Sequence, residues 1–243
     1  MKILAMDSSG LTASVAVLED DKLIAEYSVN YKKTHSQTLV PMMDAIRQMT
    51  ELELATIDAI AVAAGPGSFT GLRIGSATAK GLGLALKKPI IPVPTVDGLA
   101  YQMYGTDKLI CPIMDARRSQ VYTGLYEFKA ISGNLPVQYE LCTLVKQCAV
   151  PIEEIAQQCN GYNREVVFLG DGVPVFAERL KELMTVPYSF APAHKRMQSA
   201  AALGVYAGVL YEKGQYEDAA QHQPDYLRLS QAERERMEKE GQS

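Results

Sequence analysis

Tryptophan is absent from this 243-residue sequence, which also holds only three histidines and four cysteines. The cysteines form no C-x-x-C pair and have no histidine among them, so the ligand spacing of a zinc site is missing. The four are Cys111, Cys142, Cys148 and Cys159. We expect reduced thiols, as in a cytoplasmic protein, and no metal centre.

The sequence also lacks an excess of positive charge. Lysine and arginine number 24 against 28 aspartates and glutamates, which gives a net charge of -4. A protein that grips nucleic acid on its own needs a basic face that displaces counterions. We therefore expect no stable direct binding of nucleic acid by this chain alone.

Long hydrophobic runs are missing as well. No uninterrupted apolar stretch approaches the roughly 20 residues of a membrane span. An acidic residue, Asp7, comes too early for a secretory signal peptide. The expectation is a cytoplasmic protein that does not contact a membrane.

What the sequence does contain is one order of elements that occurs twice. Apolar runs separated by turn residues predict β-β-β-α-β-α in residues 1–105 and again in 106–220, followed by a tail or helix at 221–243. This pattern indicates an α/β protein with two lobes. The predicted strands are 3–6, 12–18, 23–29, 59–64, 109–114, 121–128, 138–144 and 166–169, and the main helices are 36–50, 72–86, 152–158, 175–184 and 199–212.

The first predicted helix shows Val40, Met43 and Ile46 at helical spacing, so we expect these three on one side of it. Pro41 lacks an N–H to donate. It must lie in the first turn of this helix or bend it.

A glycine-rich loop joins a buried strand to the second predicted helix. The stretch from Gly65 to Gly75 can turn backbone N–H groups toward an anion at a helix N-terminus. It is not a P-loop, since no Lys-Ser or Lys-Thr follows its last glycine. Phosphate binding and tight strand–helix packing both remain open. Other candidate phosphate-binding residues end strands or lie in turns; the full set is Asp7, Ser8, Ser9, Gly65, Gly67, Gly170, Asp171 and Gly172.

Small residues recur every four positions along the second helix, at Gly71, Gly75, Ala79 and Gly83. Each helical glycine costs about 1 kcal/mol relative to alanine, so the ridge must gain close approach by another backbone. That backbone belongs either to the chain's own sheet or to another subunit. The subunit alternative predicts an interface on the first two helices formed by Met42, Met43, Ile46, Met49, Leu72, Gly75, Ser76, Ala79 and Gly83.

No catalytic group can be assigned from the sequence. His35 enters the first helix, where a metal-binding pair would need a second histidine four residues later, and Leu39 occupies that position. His194 and His222 are also isolated, and the sequence does not bring a serine, a histidine and an acid together.

Five segments, in this order, resemble the TsaB (YeaZ) family of bacterial tRNA threonylcarbamoyladenosine biosynthesis proteins. They are Met6–Asp7–Ser8–Ser9, Thr34–His35–Ser36, the stretch 64–75, Met114–Asp115–Ala116–Arg117, and Pro224–Asp225–Tyr226–Leu227–Arg228. The resemblance covers nearly the whole chain. It implies two ribonuclease-H-like lobes, as in the actin, sugar-kinase and Hsp70 superfamily.

The resemblance also implies a function. TsaB is a paralogue of TsaD, which transfers a threonylcarbamoyl group to the adenosine beside the anticodon in tRNAs that read codons beginning with A. The family resemblance implies a non-catalytic subunit that binds TsaD through its N-terminal lobe, works with TsaE, and forms homodimers when alone. It implies no cofactor for this chain alone, and it allows for ATP or ADP in the assembly.

Two other functions stay open at this point. One is an ATP-dependent small-molecule kinase of the same superfamily, for which Asp7 is the candidate acid. The other is a metallopeptidase, which would need metal ligands beyond the isolated histidines.

Overall fold

A computed structural model describes residues 1–133 and 135–228, so most of the predicted tail at 221–243 lies outside the described residues. The strands are β1 (Lys2–Asp7), β2 (Ala13–Glu19), β3 (Lys22–Val29), β4 (Ala59–Gly65), β5 (Ile90–Pro94), β6 (Leu109–Asp115), β7 (Gln120–Ala130), β8 (Tyr139–Pro151), β9 (Val166–Leu169) and β10 (Tyr188–Phe190). The helices are α1 (His35–Met49), α2 (Phe69–Leu86), α3 (Thr95–Tyr101), α4 (Ile152–Gly161), α5 (Val173–Leu183), α6 (Ala193–Arg196) and α7 (Ala200–Glu212).

The strands form two five-stranded sheets of the same topology. The first has the order β3-β2-β1-β4-β5 and the second, read from the other edge, β8-β7-β6-β9-β10. In each sheet the first three strands form an antiparallel meander, and the last two run parallel to the central strand. The predicted repeat is therefore confirmed, and the α/β fold has two ribonuclease-H-like lobes. Within the described part of the chain, no helix is long and apolar enough to cross a membrane.

Strand β4 is buried along its whole length, because helices cover both faces of the first sheet. Ile60 and Val62 point into the core that contains α1 and α2. The alternate residues Ala59, Ala61 and Ala63 point to the other face, which α7 covers. Small alanines on that face leave room for the helix to approach the sheet closely.

Helix α7 was predicted within the C-terminal lobe, 106–220, but it packs on the first sheet. Its residues Ala200, Leu203 and Ala207 share a core with β1, β2, β4 and β5. Val209 on the same helix packs against the core that includes residues of the second sheet. The chain thus returns to the first lobe after completing the second, so the sequence boundary between lobes needs this correction.

The phase of α1 also differs from the prediction. Its buried residues are Leu39, Met42 and Ile46, whereas Val40 is 49% exposed. Spacing alone permitted either stripe, and the sheet selected the one that includes Leu39. Pro41 lies inside the helix beyond its first turn.

A buried polar group joins α3 to the elements on either side of it. The Tyr126 hydroxyl on β7 donates to Oδ1 of Asp97 over 2.7 Å. Burial raises the pKa of the Asp97 carboxyl, and hydrogen bonds from Tyr126 and from Tyr206 on α7 oppose that rise. One carboxyl therefore links α3, α7 and the second sheet.

The same region joins the two segments where the chain passes between lobes. The side-chain amide of Gln102, just after α3, donates to the carbonyl of Met197 over 2.7 Å. The Lys195 ammonium donates to the carbonyl of Gln102 over 3.3 Å. These contacts bind the segment that follows α3 to the segment that precedes α7.

We predict that the free energy of unfolding of Asp97→Asn increases relative to that of the parent protein as the pH rises from about 4 to 7. Because the pKa of Asp97 is raised in the native state, its favourable contribution is present at low pH and is lost as the pH rises through the native pKa. Asparagine does not titrate. The check is urea unfolding of both proteins across this pH range.

Asp21→Asn, in the exposed turn between β2 and β3, is the control for removing a carboxylate. If the difference in unfolding free energy between the Asp97 variant and the parent is the same at both ends of the range, the raised pKa is wrong.

Candidate functional site

A cleft of about 750 Å³ lies between the lobes, where β1 and β4 of the first sheet and β6 and β9 of the second end. Strand ends of this kind position loops at a common edge, as in other open α/β sheets. The first lobe lines the cleft with Ser9, Gly10, Leu11, Tyr31, Lys33, Thr34, His35, Ser36, Gly67, Ser68, Phe69, Thr70, Gly71 and Ile74. The second contributes Met114, Asp115, Ala116, Arg117, Tyr122, Asp171 and Val175, and Arg228 comes from the C-terminal segment.

Asp7 ends β1 beside the cleft and is only 3% exposed. Burial raises the pKa of its carboxyl, and hydrogen bonds from the Ser9 side chain and backbone oppose the rise. Oδ1 accepts from Ser9 N over 2.8 Å and from Ser9 Oγ over 2.6 Å. The carboxyl is thus engaged in shaping the turn after β1.

His35 and the glycine-rich loop are both tied to that turn. The His35 ring places Nε2 2.8 Å from the carbonyl of Gly10, so this nitrogen donates the hydrogen bond. Ser68 N donates to the carbonyl of Ser9 over 2.7 Å. Leu39, one helical turn beyond His35, lies in the core with 1% exposure.

The ridge on α2 packs against the end of β1. A Cβ added to Gly71 would overlap the Ser8 carbonyl oxygen, and one added to Gly75 would lie 2.6 Å from Ser8 Oγ. Ser8 Oγ in turn donates to the carbonyl of Gly71 over 2.8 Å. Of the two positions left open for the ridge, the structure shows the internal one.

The wall of the cleft that the second lobe forms is held together by hydrogen bonds within the chain. Asp171 Oδ1 accepts from Asp115 N over 3.0 Å, and burial raises the pKa of the Asp171 carboxyl. Gly170 N donates to Arg196 O over 2.7 Å, and Gly172 N to Ile113 O over 3.0 Å. These two glycine amides are occupied within the chain and do not point freely toward an anion.

Glycine is also required in this turn for steric reasons. A Cβ at Gly170 would overlap the Ile113 carbonyl oxygen, and one at Gly172 would lie 2.9 Å from it. The predicted phosphate candidates therefore separate: Ser9, Gly67 and Asp171 line the cleft, whereas Gly170 and Gly172 pack on β6. In residues 1–133 and 135–228 no three His, Cys, Asp or Glu side chains are grouped to hold a metal ion.

The residues predicted as an interface have different exposures. Met49 is 87% exposed and Met43 is half-buried. The others are buried in the first lobe, namely Met42, Ile46, Leu72, Gly75, Ser76, Ala79 and Gly83. Their role in binding a partner stays a prediction.

Helix α2 also has a side that is exposed to solvent. Ala77, Gly81 and Leu84 follow one another at helical spacing on the solvent side, and we name them the outer face of α2. A Cβ added to Gly81 would meet nothing within 4 Å. The four-residue ridge pattern drew attention to Gly75 and Ala79 and missed Gly81, which belongs to a different stripe.

Sequence reasoning also missed Arg228 as a cleft residue, although it noted the segment Pro224–Arg228. Asp225 N donates to the carbonyl of Ala64 over 2.6 Å, so this segment packs onto the first lobe. The contact joins residues that are far apart in the sequence. No local sequence pattern could therefore have predicted it.

Comparisons with known proteins agree on one family. A family model described as "TsaD: tRNA N6-adenosine threonylcarbamoyltransferase" matches residues 22–236. The chain is 34% identical to the tRNA threonylcarbamoyladenosine biosynthesis protein TsaB of Bacillus subtilis over 96% of each chain. It is 35% identical to TsaB of Escherichia coli, over 52% of this chain and 55% of that protein. The solved structure of YeaZ from Pseudomonas aeruginosa superposes with a TM-score of 0.77 at 28% identity, covering 93% of this chain and 99% of that one.

We predict that alanine has opposite effects at two glycines of α2. Gly71→Ala is expected to cost about 1–3 kcal/mol or more, because its Cβ would overlap the Ser8 carbonyl. Gly81→Ala is expected to stabilise the monomer by about 1 kcal/mol, because alanine favours the helix and the site has open space. Urea denaturation of both variants measures the two effects, and equal signs would contradict the packing described for α2.

Proposed function

The chain belongs to the TsaD domain family and, within it, with the tRNA threonylcarbamoyladenosine biosynthesis protein TsaB, and from this premise we propose that it is a non-catalytic partner subunit of TsaD. In that role it is required, together with TsaE, for threonylcarbamoyl transfer to the adenosine next to the anticodon of tRNAs that read codons beginning with A. The transfer itself takes place on TsaD.

The observation that carries this proposal is the exposed glycine on the outer face of α2. A mid-helix glycine costs about 1 kcal/mol relative to alanine. Gly71 and Gly75 offset that cost by close packing inside the lobe, but Gly81 touches no atom of its own chain that would exclude a Cβ. Close approach by a partner's backbone is the use that such a position supports.

Exposed apolar groups on α2 and on α1 support a docking role. Leu84 is 54% exposed on the same face. On α1, Val40, Pro41 and Met43 line a groove of about 520 Å³ together with polar groups. A helix of TsaD that lies along α2 would cover the outer face, and a second copy of this chain would use the same face when TsaD is absent.

The cleft supports the non-catalytic part of the proposal. The Asp171 carboxyl in its lining accepts from Asp115 N, and beside the cleft the Asp7 carboxyl and the Gly170 and Gly172 amides also have partners within the chain. An adenine nucleotide used by the assembly would therefore need groups from TsaD or TsaE, and this chain alone would require no cofactor. Its net charge of -4 favours contact with tRNA through the partner.

The test is to mix the chain with TsaD from the same cell and to measure masses by light scattering. We expect a 1:1 heterodimer to replace any homodimer. Gly81→Arg should weaken this complex about tenfold or more, because it places a bulky unpaired charge where a backbone approaches. The variant should remain folded, since the site is open in the monomer.

Gly161→Arg is the matched control, because Gly161 is also exposed in a helix with nothing within 4 Å of an added Cβ. Unchanged affinity of the Gly81 variant would remove the outer face from the interface. Absence of any complex with TsaD, with or without ATP, would contradict the partner role itself. ATP turnover by the isolated chain would then favour the kinase-like function. Metal bound to the pure protein would favour the peptidase function.

A further inference from the structure

Residues 217–228 form a continuous segment that runs along α2 in the opposite direction, and we name it the clasp. It begins at the edge of the first sheet, where Glu217 and Ile90 exchange two backbone hydrogen bonds of 2.9 Å. Ala219 then lies so close to Gly83 that a Cβ on that glycine would be 2.7 Å from the Cβ of Ala219. The clasp is thus attached to the first lobe from its start.

The middle of the clasp is anchored by a buried histidine. His222 Nε2 lies 3.0 Å from Ser76 Oγ on α2, and Nδ1 lies 2.7 Å from Glu217 Oε1. Lys80 Nζ donates to the His222 carbonyl over 3.3 Å. The order serine–histidine–glutamate resembles that of a hydrolase triad, but neither Ser76 nor His222 lines the cleft. The trio therefore fastens the segment to the helix.

The far part of the clasp reaches the N-terminus of α2. The ring of Tyr226 stacks on Phe69 with centroids 4.4 Å apart and an angle of 1° between the planes. Arg73 Nε donates to the Tyr226 hydroxyl over 3.2 Å. Gly65 faces the Asp225 carbonyl oxygen, with which a Cβ would overlap. All of these contacts are with the first lobe.

The last described residue crosses to the second lobe. Arg228 Nη1 donates to the carbonyl of Ala116 over 2.6 Å, and both residues line the cleft. Ala116 directly follows β6 and precedes a turn in which Arg117, Arg118 and Ser119 all have positive φ, between 56° and 65°. Such residues persist only where neighbouring contacts hold them.

We propose that the clasp sets the width of the interlobe cleft, with Arg228 as the residue that closes it. The Asp97 and Gln102 contacts join the two halves of the chain without any residue of the clasp. At the cleft, Arg228 joins the clasp, which is fixed to α2, to the turn after β6 by a direct hydrogen bond. Loss of this bond leaves the turn free to move away from the glycine-rich loop.

The test measures the distance across the cleft directly, by pulsed electron paramagnetic resonance. Spin labels are attached through Lys33→Cys in the first lobe and Val175→Cys in the second, two exposed residues that line the cleft. The background carries Cys142→Ser and Cys148→Ser, since these two thiols are partly exposed, whereas Cys111 and Cys159 are buried. Neither labelled position belongs to the clasp.

We expect Arg228→Ala to give a longer mean distance and a broader distribution than the background protein. Arg179→Ala is the control, because Arg179 is an exposed arginine paired with Glu153 and Glu182 entirely within the second lobe; it should leave the distribution unchanged. Hydrogen exchange should also become faster at residues 116–120 in the Arg228 variant only.

A distance distribution for Arg228→Ala that superimposes on that of the background protein would overturn the proposal. The same applies if Arg179→Ala widens the cleft to the same extent, since the effect would then not depend on the clasp. Should Arg228→Ala fail to fold, Arg228→Gln is measured in the same way, because it keeps most of the side chain. The experiment needs no TsaD, so its result is independent of the proposed partner role.

Discussion

Where α2 passes the end of β1, two glycines leave room for Ser8 to touch the helix backbone. That contact places the N-terminus of α2 beside the turn that Asp7 organises, and the Ser68–Ser9 bond then brings the glycine-rich loop to the same edge. The first wall of the cleft follows from this arrangement. So does the direction of α2, which decides the side of the helix that meets solvent and the side that receives the clasp. A side chain at either glycine would move all of these together.

Close packing also explains why a glycine turn that looks suited to phosphate offers no free backbone amide at Gly170 or Gly172. A loop can need glycine for two reasons: its backbone must approach a bound ligand, or its backbone must approach another part of the same chain. At Gly170 and Gly172 the neighbour is Ile113 of β6, and at Gly65 it is Asp225 of the clasp. These three glycines therefore serve contacts within the chain.

Much of the fold follows from local patterns, and the misses have physical causes. The strands β1, β4 and β9 were predicted nearly to the residue, because short apolar runs ended by turn residues admit few alternatives. The three-residue strand β10 gives too little pattern to be seen. Val40 was placed with the core of α1 because Leu39 and Val40 are both apolar, and only the position of the sheet decides between them.

The candidate site was predictable in part. Asp7, Ser9, Gly67 and Asp171 were identified because strand ends and glycine turns mark the edge where sites form. Arg228 and Lys33 were not, because a single basic residue carries no spacing signal. Whether the α2 ridge faced inward could not be decided from spacing, since its partner backbone is far away in sequence.

The return of α7 to the first sheet means that the first lobe is not a contiguous piece of chain. Residues 1–105 supply its five strands, but Ala59, Ala61 and Ala63 are covered only when Ala200, Leu203 and Ala207 arrive. On a ribosome the first lobe therefore emerges with one apolar face of its sheet uncovered, and it must wait while the entire second lobe is synthesised. Domains usually fold in the order of their synthesis. Here the second lobe, although made later, is the first whose own sheet and helices are complete.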